Sequence, residues 1–261
     1  MGLLIARSFV FGKGEYNGSH VSGIAAFFDL DGTVVSTSTA VLYVKYLRRA
    51  PKGSTPFDRM PLSALLKTLW YQVLYNANRI DIERVAAQSV APLAGHRERR
   101  MIELCRRWFD ERVARFIRPE MPSLVSAHQT AGHEVCMLTA STPYVTVPLC
   151  ERLGIEHWLA SRLEVAEGVF TGDFVRPLCF GEGKIHWARR WADARGIDLA
   201  RSFFYTDSIT DLPMCEAVGT PVLVNPDRRL RREGLRRGWK ILDLDGRGHA
   251  FSAPDLVAPS S

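Results

Sequence analysis

The chain has 261 residues, with 34 Lys+Arg against 28 Asp+Glu and a formal net charge of +6. Apolar residues make up 46% and charged residues 24%, which excludes disorder over the whole length and leaves enough chain for a substantial core in one large domain or two smaller ones. No collagen or coiled-coil period is present, and nothing matches the roughly 20 apolar residues of a membrane span.

Residues 1–22 are rich in Gly and polar residues and read as a loose leader. Arg7 breaks its apolar start, which argues against a secretory signal. Ile24 to Phe28 is a short apolar run closed by Asp29-Leu30-Asp31-Gly32-Thr33, the pattern of a buried parallel strand and its loop. Residues 36–118 predict a helical insertion. Val41, Leu42, Val44, Tyr46 and Leu47 suggest a first helix, followed by a Pro/Gly-bearing connection from Pro51 to Pro61. Leu62, Leu65, Leu66, Leu69, Val73 and Leu74 recur at helical spacing; Lys67 and Gln72 make this stripe too polar to span a membrane. Asp81 is placed to cap a third helix carrying Ile82, Val85 and Ala86, and Met101, Leu104, Cys105, Trp108 and Phe109 form a last stripe.

Beyond Pro122 the pattern alternates. Helices are expected at Leu124–Thr130, from Pro143 to about Gly154, and from Lys184 to about Arg195. Strands are expected at His133–Leu138, Phe203–Thr206, Pro221–Val224 and Lys240–Leu242, with a small hairpin over Leu163–Val165 and Gly168–Gly172. Strands alternating with helices give an α/β fold with a parallel sheet covered on both faces and polar residues at the strand ends. The expected division is a core of 23–35 and 119–261 with 36–118 inserted.

Four constellations carry chemistry. In Asp29-Leu30-Asp31-Gly32-Thr33, two carboxylates leave a strand together, one able to attack and the other to move protons. A calcium loop also begins Asp-x-Asp, but Val34 and Val35 occupy positions where oxygen ligands are needed. A second apolar strand ends in Asp207, with Asp211 four residues on; oxygen ligands on a loop suit Mg²⁺, while helix capping would explain one of the two. Thr139-Ala140-Ser141 puts a hydroxyl at a strand end ahead of a helix, where a phosphate can be held. Gly181-Glu182-Gly183-Lys184 is not a P-loop, because Leu178 and Ile185 stand where Gly and Ser or Thr are required, yet Lys184 can still reach a phosphate as a point charge.

In this order the four motifs resemble the haloacid dehalogenase (HAD) superfamily, over roughly residues 24–242, and most closely its phosphoserine-phosphatase-like branch. The resemblance implies a Rossmann-like core with a helical cap between the first and second motifs, where residues 36–118 fall. It implies that Asp29 attacks phosphorus and that Asp31 protonates the leaving oxygen and then activates water. Thr139, Ala140 and Lys184 would hold the phosphoryl oxygens. Mg²⁺ would sit on Asp29, the Asp31 backbone carbonyl and Asp207, supported by Asp211. The implied activity is a phosphatase acting on a small phosphorylated metabolite; phosphotransfer to another acceptor uses the same residues. Two departures argue against phosphoserine: no acid occurs between Val34 and Ala40, with Ser38 at the matching position, and Thr210 stands where the branch has Asn. Arg48, Arg49 and Arg79 are alternatives for meeting another anionic group.

Other signals read as structural. The basic run Arg228, Arg229, Arg231, Arg232, Arg236, Arg237 and Lys240 suits a solvated helix packed through Leu230 and Leu235 better than a nucleic-acid site. Trp187 and Trp191 suit the core. Cys105, Cys136, Cys150, Cys179 and Cys215 form no CxxC pair and read as reduced, mostly buried thiols of a cytoplasmic protein.

Overall fold

A computed structural model describes residues 23–48, 82–245 and Ala253. The expected leader and the Leu62–Leu74 stripe lie outside them. Six parallel strands form the central sheet: β1 (Ala25–Phe28), β2 (Glu134–Thr139), β3 (His157–Ala160), β6 (Phe203–Thr206), β7 (Thr220–Val224) and β8 (Lys240–Leu242), in the order β3-β2-β1-β6-β7-β8. Strand β1 lies at the centre, with Phe27 opposite Cys136 on one side and Phe204 on the other. All four of its residues are buried, as an apolar run without alternation requires. The edge strand β3 is an addition to the expected set: His157-Trp158-Leu159-Ala160 is too short and too mixed to show a period.

Alternate residues along each strand face opposite sides of the sheet. Phe28, Met137, Tyr205 and Val222 join one apolar cluster, covered by α4 (Met121–Thr130) and α5 (Pro143–Leu153). Phe27, Cys136, Phe204 and Leu223 join the other, covered by α6 (Glu182–Asp193), α7 (Leu212–Ala217) and α8 (Arg228–Arg237). Trp187 and Trp191 are both in this second core. All five cysteines are unbridged and buried, Cys105 and Cys150 with the first cluster and Cys136, Cys179 and Cys215 with the second.

Helix α8 packs through Leu230 and Gly234, whereas Leu235 is 69% exposed. This corrects the expected pairing of Leu230 with Leu235. A residue five positions on from Leu230 lies on another side of a helix. Three arginines of this helix are engaged in ion pairs, Arg231 with Asp243, Arg236 with Glu233 and Arg237 with Glu216.

The described part of the insertion is helical: α1 (Thr39–Leu47), α2 (Ile82–Val90) and α3 (Glu98–Trp108), which runs on through a π-helical turn at Phe109–Val113. Its two ends meet beside β1, where Ser36 N–H donates to Phe116 O (2.9 Å) and Arg118 N–H to Val34 O (3.0 Å). The expected hairpin forms as β4 (Leu163–Ala166) and β5 (Val169–Phe174) and reaches the insertion, with backbone bonds from Gly95 to Phe170, Phe170 to His96 and Glu98 to Gly168. Among the described residues no helix is long and apolar enough to cross a membrane.

His128 of α4 is fully buried under the sheet. Its Nε2 lies 2.7 Å from the Tyr205 hydroxyl and its Nδ1 2.9 Å from Nδ1 of His133. Burial, and then the neighbouring His133, push its pKa down to about 3. The sign follows directly. Below pH 6.5 the unfolded imidazole takes up a proton that the folded one refuses, so stability is complete above that pH and falls as pH drops toward 3. Urea midpoints should show this contribution declining by about 1.4 kcal/mol per pH unit, and His128→Gln should remove that slope.

Candidate active site

The C-terminal ends of β1, β2 and β6 bring the four sequence motifs together. Asp29, Asp31, Thr139, Ala140, Lys184, Asp207 and Asp211 all line one cavity of about 370 Å³. Ser38 lines it too, at the start of α1. Arg48 lies exposed at the other end of that helix, while Arg49 and Arg79 fall outside the described residues.

Lys184 is the hub. Its Nζ donates to Asp29 Oδ1 at 2.7 Å and to Asp211 Oδ2 at 2.6 Å, and its side chain is only 2% exposed. Gly183 makes this approach possible, since a Cβ there would stand 1.8 Å from the Leu178 carbonyl oxygen. The Thr206 hydroxyl also donates to Asp211 Oδ2, at 2.6 Å. Asp211 therefore aims the lysine. The capping alternative fails for both aspartates: Asp211 precedes α7 without a side-chain cap bond, and Ser208 caps the short turn between them.

The two carboxylates of the first motif point differently. Asp29 faces Lys184, whereas Asp31 accepts from the Ser141 hydroxyl at 2.7 Å and from the Thr39 backbone N–H. Burial raises the Asp31 pKa, and these two donors only partly offset it. Burial also lifts Asp29 well above the usual carboxylate range against the pull of Lys184, with Asp211 and Asp207 adding to the rise. Asp207 is pushed up to about 7 by burial and then by Asp211. Lys184 stays charged: burial opposes its charge, but Asp211 and Asp29 outweigh burial and raise its pKa.

Four carboxylates thus line the cavity beside one ammonium, which pairs directly with two of them. All the donors on offer are hard oxygens, and the surplus negative charge is what a small divalent cation offsets. No group of three His, Cys, Asp or Glu side chains among the described residues forms a ready metal cluster. Gly32 holds the loop against Asp207: its φ is +79°, and a Cβ would lie 2.0 Å from Asp207 Oδ2.

Two positioning residues lie outside the four chemistry-bearing motifs. Arg118 is 5% exposed; its Nε donates to Thr33 O at 3.0 Å and its guanidinium also donates to Gly32 O at 3.1 Å, with an ion pair to Asp245. It clamps the loop that carries Asp29 and Asp31, and nothing in its sequence neighbourhood marks it. Arg118→Ala takes the guanidinium donors away from the buried Thr33 carbonyl and the part-buried Gly32 carbonyl. It should lower stability by about 2–4 kcal/mol in urea titration and reduce kcat as the loop loosens. Asp227 caps α8 through Arg229 and Leu230 N–H and accepts from Ile209 N–H at 2.7 Å, tying the Asp207 loop to that helix. An acid just before a helical stretch is the signal that could have found it.

The sequence matches the haloacid dehalogenase-like hydrolases over residues 26–216. It is 36% identical over 244 residues to an inhibition of morphological differentiation protein of Streptomyces azureus, covering 90% of this chain and 85% of that one. It is 35% identical over 221 residues to a phosphoserine phosphatase of Mycobacterium tuberculosis, covering 84% and 70%. A crystal structure of a Bordetella pertussis protein of unknown function superposes with a TM-score of 0.75 at 26% identity, covering 86% of this chain and all of that one.

Proposed function

The chain belongs to the haloacid dehalogenase-like hydrolases, and on its site geometry we propose a Mg²⁺-dependent phosphomonoesterase working through an aspartyl phosphate on Asp29. One observation carries the reading. Lys184 bridges Asp29 and Asp211 on a cavity wall shared with Asp31, Asp207 and Thr139, while Asp31 is held apart from the lysine by Ser141 and Thr39. That separation gives the two carboxylates of one motif two different tasks.

Asp29, hydrogen-bonded to Lys184, presents an oxygen to phosphorus. A P–O bond forms to Asp29 as the P–O bond to the alcohol breaks. Asp31, whose raised pKa suits a proton carrier, gives its proton to the departing alkoxide oxygen. Deprotonated, it then takes a proton from water as that water attacks the aspartyl phosphate, freeing inorganic phosphate and Asp29. Thr139, Ala140 and Lys184 steady the phosphoryl oxygens as their charge grows. Asp29, Asp207 and the Asp31 carbonyl would hold Mg²⁺, which offsets the repulsion between an anionic carboxylate and an anionic phosphate. Five free buried thiols suit a reducing compartment, so the reading places the protein in the cytoplasm.

The test is phosphate release from acetyl phosphate and p-nitrophenyl phosphate, with Mg²⁺ and with EDTA. Release that stops in EDTA and returns with added Mg²⁺ is the expected result. Release indifferent to EDTA would overturn the metal assignment.

A further inference from the structure

A second cavity, of about 380 Å³, opens from the first: Asp31, Ala140 and Phe180 line both. Its walls come from both sides of the molecule. The insertion supplies Tyr43, Ala86 and Trp108, and the core supplies Tyr144, Val145 and Phe174. Its volume is that of a small-molecule pocket. Because Asp31 stands at the junction, a phosphoryl group seated near Asp29 would direct its leaving oxygen, and whatever that oxygen carries, into this space.

The chemistry of the walls is apolar. The Tyr144 hydroxyl is turned to Glu98 at 3.0 Å and the Tyr43 hydroxyl to Met101 Sδ at 3.8 Å. Ser89 donates to its own helix at Val85 O, and Ser161 accepts from Cys179 N–H. The aromatic rings brace one another: Tyr43 packs edge-on to Trp108 at 5.0 Å, and Tyr144 to Phe170 at 5.8 Å. Among the described lining residues the charged groups are Asp31, which the proposed reaction uses, and Arg162, whose guanidinium lies over the Trp187 ring. Among the described lining residues no carboxylate besides Asp31 is there to meet an ammonium group.

We infer that this pocket takes an uncharged, largely apolar alcohol of aromatic size, making the substrate class phosphomonoesters of such alcohols and excluding phosphoamino acids. The inference rests on the phosphatase reading above. A benzyl- or phenylethyl-sized group would exchange water for the Tyr43, Trp108 and Tyr144 walls. A phosphoserine leaving group would instead bring an ammonium and a carboxylate into a mostly apolar surface, where Asp31 and Arg162 are the charged groups among the described lining residues.

The experiment compares kcat/KM for 2-phenylethyl phosphate, phospho-L-serine and acetyl phosphate with Mg²⁺. The expected result is a preference of at least about 100-fold for 2-phenylethyl phosphate over phospho-L-serine, because polar groups left unpaired in an apolar site are strongly rejected. A preference below about tenfold overturns the inference and leaves the phosphatase reading standing. Acetyl phosphate separates the two failures, since it is too small to use the second cavity: if none of the three is hydrolysed, both readings fall. Ala86→Phe places a ring into the cavity from the half-buried face of α2. It should cut the preference for 2-phenylethyl phosphate over acetyl phosphate about tenfold or more, and an unchanged preference counts against the pocket. The wild-type comparison decides the matter even if that variant folds poorly.

Discussion

Asp29→Asn reduces phosphate release by at least about 10³-fold while leaving a folded protein. The amide keeps the shape of the side chain but cannot supply the attacking oxygen as an anion. The neighbours see a smaller change, because Lys184 retains Asp211 as a partner at 2.6 Å and an amide oxygen still accepts a hydrogen bond. Stability should therefore hold to within about 1–2 kcal/mol even though activity is lost. A second readout separates loss of the nucleophile from general damage. BeF₃⁻ with Mg²⁺ mimics an aspartyl phosphate and should raise the melting temperature of the wild type and not that of Asp29→Asn. Retained turnover in the variant would remove Asp29 from the nucleophile's role.

Lys184→Met is expected to fail in both stability and rate. Two carboxylates then face each other in a buried pocket without the cation that joined them, which costs about 3–5 kcal/mol when one partner of a buried ion network is removed. The deficit has a definite pH dependence. Asp29 is already raised by burial and held back by Lys184, so losing the lysine raises it further. Protonation relieves the repulsion. Measured without metal, the deficit against wild type should be largest near about pH 8 and shrink toward about pH 5. Added Mg²⁺ should recover part of the stability, and kcat should still fall about 10²-fold or more, since one donor to the transferring group is gone. A deficit independent of pH would mean that the carboxylates do not carry the cost.

The candidate site was legible in the sequence because most of its groups, Lys184 excepted, stand at or just past the end of an apolar strand. Asp29 and Asp207 directly follow apolar strands, whereas Thr139 and Lys184 are weak signals alone and stand out only through the order of the four motifs. The sheet was legible for the same reason, since β1 and β6 are uninterrupted apolar runs. What stayed hidden depends on distance in the chain. Arg118 reaches Gly32 and Thr33 across more than eighty residues, and no local pattern encodes a guanidinium hydrogen-bonded to a remote carbonyl. The tasks of Asp29 and Asp31 could be told apart only by resemblance, because Ser141 and Thr39, which draw Asp31 aside, are contributed by other elements. The second cavity was hidden too, since half its wall comes from the insertion and half from α5 and the hairpin, and helical periodicity marks a buried face without saying whether protein or ligand covers it. Leu235 shows the limit on a surface helix: composition names apolar residues, but only the angle around the axis tells which of them are covered.

The placement of the cysteines bears on how the molecule's motions can be followed. The sulfurs are spread over both faces of the sheet, and Cys105 alone is carried by the insertion, in the wall of the second cavity. Burial lifts the Cys105 and Cys179 thiols to about 12 and raises the other three as well, so few thiolates exist at neutral pH and fewer still are within a reagent's reach. Native sulfurs in this arrangement act as dormant clocks. Each starts only when its own layer opens, so alkylation followed site by site dates separately the loosening of the insertion and the opening of each side of the sheet, with no label introduced.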